Sequence, residues 1–344
     1  MNIVFVLPGR GSSGGVRATS IFAADLHLRG HKVRILYRAD ERNIRSLAKG
    51  VRNRLIYAGA PDWLYRFNGR IDSFRDIRKC KFEPDEIIVA VGMAMCADLD
   101  LLKVENCKIQ FFHGSWDPSL LQRAMNLPFP KIVVSSYLKD LAQTSGRGEV
   151  LGVVPNGVDQ TEYFNCVPVS EKTGVGTIYS SAIPKDPVTT LATLKELALR
   201  RRDIKIRVFG SDRRPRELKP ELYYRFPSLE RAREIYSRSL VWIVASSSEG
   251  FSLPVLEAMS CGCCVVATDC GGTRDLIVGG KNGFLVPVGD AHAIVTMVEM
   301  LLDDRNLCRQ IANEALKTSA RFTWQKAVTK FEVCLNFSRS HAYQ

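Results

Sequence analysis

An apolar run over residues 3–7 opens the chain and ends in Pro8-Gly9-Arg10-Gly11-Ser12-Ser13-Gly14-Gly15. Val16, Ile21, Phe22, Leu26 and Leu28 then recur at helical spacing, and the pattern stops at Arg29-Gly30-His31. Residues 32–37 alternate like a strand. A strand, a glycine-rich loop, a helix and a second strand in this order predict a right-handed crossover within a parallel sheet. Further strands are predicted at residues 86–91, 108–112, 131–135 and 150–154, with a helix at 137–143. A turn-rich stretch between Val154 and Gly176 marks a boundary, after which a second series begins. Its strands are predicted at 177–181, 204–209, 240–245 and 263–268, and its helices at 188–199, 254–260, 291–302 and 307–318. Strands alternating with helices predict the α/β class, here as two Rossmann-like, doubly wound domains facing across a cleft.

Composition supports two globular domains. A chain of 344 residues is long for one core, and 46% hydrophobic with 24% charged residues is ordinary for a globular protein. The longest apolar stretch, residues 87–97, is about half of the ~20 residues a membrane span needs. The first residues read as a buried strand rather than a signal peptide, so a cytoplasmic protein is expected, with attachment to the inner face of the membrane as a variant of that expectation. The ten cysteines include Cys261, Cys263 and Cys264, whose spacing is not a common zinc pattern, so reduced and mostly buried thiols are expected and no metal site.

The net charge of +12 is uneven: residues 29–81 hold fifteen Lys/Arg against five Asp/Glu. An anionic membrane surface or a phosphorylated substrate would suit such a face, as would solvent alone. No nucleic-acid motif is present, so a nucleic-acid partner is not expected. Trp63, Leu64, Tyr65 and Phe67, inside the basic stretch, suit either a membrane interface or a core.

The chemistry concentrates in the second half. Residues 246–259, Ser-Ser-Ser-Glu-Gly-Phe-Ser-Leu-Pro-Val-Leu-Glu-Ala-Met, leave a predicted strand, turn, and open a helix with Pro254 in its first turn. Backbone N–H groups and the positive end of the helix make a phosphate site there. Glu249 and Glu257, one in the loop and one a turn into the helix, can face one ligand, since a carboxylate accepts hydrogen bonds from vicinal hydroxyls. Two surface carboxylates would be the plainer reading of such a pair, and the flanking turn and helix argue against it.

This segment, continued through Thr268, resembles the signature of the retaining GT-B glycosyltransferases of family four, the glycosyl transferases group 1: two glutamates separated by seven residues, then Ala-Met-x-x-Gly-x-x-Val-Val. Residues 270–275 and 282–287 resemble its continuation. Gly14-Gly15-Val16 and residues 29–33 are similar to the opening of the family's acceptor domain, and residues 154–159 to its linker. The likeness runs from residue 1 to about residue 325.

The resemblance implies a metal-independent hexosyltransferase working with retention. It would move a hexose-type sugar from a UDP- or GDP-linked donor, with no further cofactor, to a glycan, lipid-linked or small-molecule acceptor in cell-surface polysaccharide or glycoconjugate synthesis. It divides the chain into an acceptor domain over 1–160, with a crossover helix over 325–344, and a nucleotide-sugar domain over 161–324. It makes His113, Glu249 and Lys185 catalytic candidates. Gly14, Gly15, the amides of Phe251, Ser252 and Leu253, and Glu257 become donor contacts, and Asp117 an acceptor contact. One part departs from the family. Where Gly-Arg is usual after the first strand of the second domain, the chain reads Ser180-Ser181, with Lys185 following. Arg213 or Arg214 is the expected replacement for the missing charge on the diphosphate.

Two other classes compete. Gly9-x-Gly11-x-x-Gly14 nominally suits a dinucleotide-dependent oxidoreductase, but Tyr37 and Arg38 stand where the second strand should end in an acid, with Asp40 beyond. A non-catalytic sugar-nucleotide or polyanion binder of the same fold is the other.

Overall fold

The computed structural model describes residues 1–11, 13–39 and 63–342. They form two units, Met1–Pro155 with Trp324–Gln344, and Asn156–Thr323. Asp40 and the most basic part of the first half lie outside the described residues.

The first unit runs β1 (Asn2–Leu7), α1 (Gly14–Leu28), β2 (Lys32–Arg38), β3 (Arg70–Phe74), β4 (Glu86–Val91), α2 (Gly92–Ala97), β5 (Lys108–Phe112), α3 (Pro118–Met125), β6 (Lys131–Val133), α4 (Ser136–Ser145) and β7 (Val150–Val153). Its described strands are parallel, in the order β3-β2-β1-β4-β5-β6-β7. The apolar run 87–97 is divided between β4 and α2, and Gly92 at φ 75° makes the break. A residue with a Cβ would be strained in that left-handed conformation.

The second unit runs β8 (Val175–Ile178), α5 (Pro187–Arg200), β9 (Ile206–Gly210), β10 (Tyr223–Arg225), α6 (Leu229–Arg238), β11 (Val241–Val244), α7 (Leu253–Ser260), β12 (Cys264–Thr268), β13 (Phe284–Val286), α8 (Ala291–Asp303) and α9 (Arg305–Ser319). Its described strands are also parallel, in the order β10-β9-β8-β11-β12-β13. The chain moves outward from β8 to β10, then restarts on the other side of β8 with β11. That reversal leaves a crevice at the carboxyl ends of β8 and β11, where open α/β sheets bind ligands. Between those strands and the helices lies a core that includes Val175, Val208, Val241, Ile243, Val266, Ile294 and Val298.

Three edge strands, β3, β10 and β13, are not anticipated by the pattern, because segments of three to five residues are too short to show a periodicity. β8 also lies nearer the amino terminus than the predicted 177–181. Beyond Tyr179 the backbone turns away from the ladder, and the Ser181 N–H donates to the Asp212 carboxylate instead.

The last helix, α10 (Trp324–Ala342), packs on the first unit. Phe331 stacks on Phe5 at 5.8 Å and lies 4.9 Å from Phe22 and 4.8 Å from Phe111 between ring centroids. Trp324 meets Phe22 edge-on. A polar clamp lies beside this cluster, where Glu332 accepts from Arg29 at 3.0 Å and bonds His31 at 2.8 Å. Burial raises the Glu332 carboxyl pKa, and those two partners outweigh it to hold the value below the ordinary range.

The basic stretch is neutralised in part where it is described. Arg34 pairs with Glu86, Arg38 with Asp98, Arg70 with Asp72 and Arg78 with Asp76. Leu64 and Phe67 are buried in the unit, and the guanidinium of Arg17 lies 4.8 Å from the Trp63 ring. The alternative of a membrane interface therefore gives way to the core for Leu64 and Phe67. Among the described residues no helix is long and apolar enough to cross a membrane. All ten cysteines are free thiols, and seven of them are buried.

One buried cation ties the first unit's loops together. Lys131 is wholly buried, and its Nζ donates to the carbonyls of Leu127, Phe129 and Arg147. Burial pushes its pKa down to about 8, so it stays charged at neutral pH with each proton facing a carbonyl. Lys131→Met fills the space but leaves three buried acceptors unpaired. It should lower the stability of this unit by about 3 kcal/mol, read as an earlier urea transition of the full chain.

Candidate functional site

The crevice of the second unit gathers residues from two loops. Lys185 lies in a short 3-10 turn, Ile183–Lys185, after β8, and Glu249 follows β11. Lys185 Nζ reaches Glu249 Oε1 at 2.6 Å, and Ser246 Oγ donates to the same oxygen at 2.7 Å. Glu249 is 8% exposed, so its charge needs both partners. Its backbone is fixed as well: its N–H donates to Cys270 O and its carbonyl accepts from Gly272 N–H. Gly272 cannot be any other residue here without movement, since a Cβ would lie 2.3 Å from Gly250 C and O. The loops are also joined at the backbone, where the N–H groups of Ser247 and Ser248 donate to Pro184 O.

Beyond Glu249 the chain enters α7 through a strained turn. Phe251 is buried edge-on against Phe322 at 5.7 Å. Ser252 sits at φ 75° and ψ 78°, unusual for a residue with a Cβ, and N-caps α7 with no side-chain cap bond. Its Oγ is buried and has no hydrogen-bond partner among the described residues. No hydrogen bond joins the amides of Phe251, Ser252 and Leu253 to a described residue either. Three successive donors and an orphaned hydroxyl at a helix N-terminus form an arrangement suited to an anion.

Glu257 lies on α7, buried, and accepts from the Tyr236 hydroxyl at 2.9 Å. Tyr236 is itself enclosed by Trp242, Phe209 and Tyr163, and burial, then the charge of Glu257, pushes its phenol well above the ordinary value. Glu249 and Glu257 thus have different protein partners, Lys185 and Ser246 for one, Tyr236 for the other. Neither Ser246 nor Tyr236 stands out in the sequence. Ser246 lies three residues before Glu249 in a run of three serines, and Tyr236 is one more apolar position on a helix.

The loop after β9 holds a surprise. Arg213 is exposed and makes no hydrogen bond or ion pair among the described residues, and Arg214 folds onto the carbonyls of Pro215 and Leu218 in its own loop. The residue of this loop that meets Ser180 and Ser181 is Asp212.

In the first unit, His113 follows β5 on the same face as Phe111, whose ring lies 4.2 Å away. The aromatic cluster of Phe22, Phe111 and Phe331 thus supports the imidazole from below. Gly15, in the first turn of α1, packs beside it: a Cβ there would sit 3.6 Å from His113 Cβ, ordinary contact, so space alone does not demand glycine. His113 Nε2 is shielded from solvent and has no partner among the described residues. Burial pushes its pKa down to about 3. Asp117 is half-buried and caps α3, accepting from Leu120 N–H and Ser119 Oγ. Among the described residues no group of three His, Cys, Asp or Glu could hold a metal ion.

Residues 185–318 match the family described as glycosyl transferases group 1. The chain is 39% identical to the sulfoquinovosyl transferase of Arabidopsis thaliana over 100 residues, 28% of this chain and 20% of that protein. It is 36% identical to a D-inositol 3-phosphate glycosyltransferase of Corynebacterium diphtheriae over 98 residues, 28% and 23% of the two. The matched stretch spans no more than 25% of these curated relatives. Among solved structures, HepE of Anabaena in complex with UDP is similar with a TM-score of 0.71 at 17% identity, over 98% of this chain and 100% of that one. Sucrose-phosphate synthase of Thermosynechococcus elongatus is similar with a TM-score of 0.71 at 15% identity over 100% of both chains. At such identities the likeness is one of fold.

The depressed pKa of His113 has a measurable consequence. The unfolded chain binds a proton on this imidazole near pH 6.5, the folded chain only near pH 3. The folded state is therefore favoured above pH 6.5 and loses that advantage as the pH falls toward 3. By pH 5 the loss should be about 2 kcal/mol. His113→Asn should show a smaller drop in melting temperature between pH 7 and pH 5 than the wild type.

Proposed function

We propose that the chain, whose residues 185–318 match the glycosyl transferases group 1 and whose fold is that of GT-B structures, moves a hexose-type sugar, with retention, from a nucleotide-diphosphate sugar to a hydroxyl of a glycan, lipid-linked or small-molecule acceptor. The observation that carries this reading is the turn after Glu249. The unpaired amides of Phe251, Ser252 and Leu253 and the orphaned Ser252 Oγ stand beside the Lys185–Glu249 pair, at the crevice of a doubly wound sheet.

The roles follow from where charge moves. As the bond between the anomeric carbon and the phosphate oxygen breaks, negative charge gathers on the diphosphate and positive charge on the sugar ring. Lys185 and the α7 N-terminus stabilise the first. Glu249 lies against the second and holds Lys185 in place. The acceptor oxygen bonds to the anomeric carbon on the face the leaving group vacates, and its proton passes to the departing phosphate oxygen. His113, neutral at physiological pH, has in Nε2 a group able to exchange a hydrogen bond with a hydroxyl. Glu257 accepts from the ribose while Tyr236 orients it. UDP is the first nucleotide to try, since HepE was solved with UDP and with UDP-glucose.

Incubation with UDP-glucose and its GDP and ADP counterparts, with donor breakdown followed by nucleotide release, tests the reading. Glu249→Ala should lower turnover by about 100-fold or more while the melting temperature stays near that of the wild type, and Lys185→Met should lower turnover as much but also lower the melting temperature, because it leaves the buried Glu249 carboxylate without its cation. Full turnover in both variants would remove these residues from the reaction.

A further inference from the structure

The loop that carries Lys185 is held at both ends. On one side Ser247 Oγ donates to Ile183 O, and the amides of Ser247 and Ser248 to Pro184 O. On the other side every contact converges on one atom. Asp212 Oδ2 accepts from Ser181 N–H at 2.6 Å, Ser181 Oγ at 3.0 Å and Ser180 Oγ at 3.1 Å. Asp212 is anchored in turn, its carbonyl accepting from the Tyr223 hydroxyl at 2.8 Å. Ser181 is exposed and Asp212 half-buried, so this cluster opens to water.

Three donors aimed at one oxygen form an oxyanion pocket. A phosphoryl oxygen offers the same charge and hydrogen-bond geometry as the carboxylate oxygen now held there. The pocket lies four residues before Lys185 on the same loop, and in the sheet it sits at the carboxyl end of β8. Both anion-binding elements of this loop are therefore neutralised from within, Lys185 by Glu249 and the serine pocket by Asp212. A diphosphate arriving here meets a fixed negative charge already bonded to the donors it would use.

We propose that the Ser180–Ser181 pocket is a phosphoryl subsite, that Asp212 fills it as an internal counter-ligand, and that displacement of Asp212 by the donor's diphosphate sets donor affinity. This rests on the nucleotide-sugar reading above. Asp212 then acts on affinity by competition and like-charge repulsion, not by touching the reacting atoms. Asn at this position keeps an acceptor for the serines without the charge, and Ser vacates the pocket.

Calorimetric titration of the full chain with UDP, with inorganic pyrophosphate and with uridine separates the terms. Asp212→Ser should bind UDP and pyrophosphate about tenfold more tightly than the wild type, with Asp212→Asn in between, and uridine unchanged. Adding Ser180→Ala and Ser181→Ala to Asp212→Ser should erase the gain. Both Asp212 variants are checked for an unchanged melting temperature, and the second stands if the first does not fold. Equal or weaker pyrophosphate binding in the folded variants overturns the counter-ligand. If the wild type turns over UDP-glucose and the variants show no gain, only this inference falls. If Asp212→Ser gains pyrophosphate affinity while no nucleotide binds, only the donor reading falls.

Discussion

A carboxylate at 8% exposure must be neutralised, and in the second unit that requirement organises the site around it. Glu249 is neutralised by Lys185, which arrives from a different strand, and by Ser246 from its own loop. For Lys185 to reach, the loop after β8 must lie against the loop after β11, and the bonds from Ser247 and Ser248 to Pro184 hold it there. For Glu249 to turn inward, the chain must pass within van der Waals contact of Gly272, where no side chain fits. The strain stored at Ser252 follows from the same turn. The parallel sheet makes this possible by placing β8 and β11 side by side, with the carboxyl ends of both at one edge.

The first unit solves a different problem, that of holding a neutral imidazole without a bond partner. It does so by packing. Phe22 from α1, Phe111 from β5 and Phe331 from α10 stack into one aromatic group, and His113 rests on its edge. Burial of the ring depresses its pKa, and Nε2 has no partner among the described residues. The last helix is part of this support through Phe331, and the clamp of Arg29, His31 and Glu332 fixes its register on the unit.

Much of the charge in the first unit is handled by pairing at close range. Arg29, Arg34, Arg38, Arg70 and Arg78 face carboxylates of their own unit, and Lys131 faces three carbonyls. A sequence count of fifteen basic against five acidic residues therefore overstates the free positive charge in the described part of that stretch.

The sequence by itself determined the alternation of strands and helices, because buried parallel strands read as apolar runs and amphipathic helices as a period near 3.6. It also determined the turn at Glu249, since proline, glycine and serine at those positions act locally and need no distant partner. The edge strands β3, β10 and β13 were not legible, as segments of three to five residues are too short to show a period and become strands only when a neighbour supplies the ladder. Neither was the choice of Asp212 over Arg213 at Ser181, for adjacent residues of one loop differ only in which way the fold aims them. Tyr236 beside Glu257, 21 residues apart, and the unpaired nitrogen of His113 belong to the same class. Tertiary structure decided these because a hydrogen bond depends on the distance and direction between two atoms, and for residues far apart in the chain both are fixed only when the strands and helices pack.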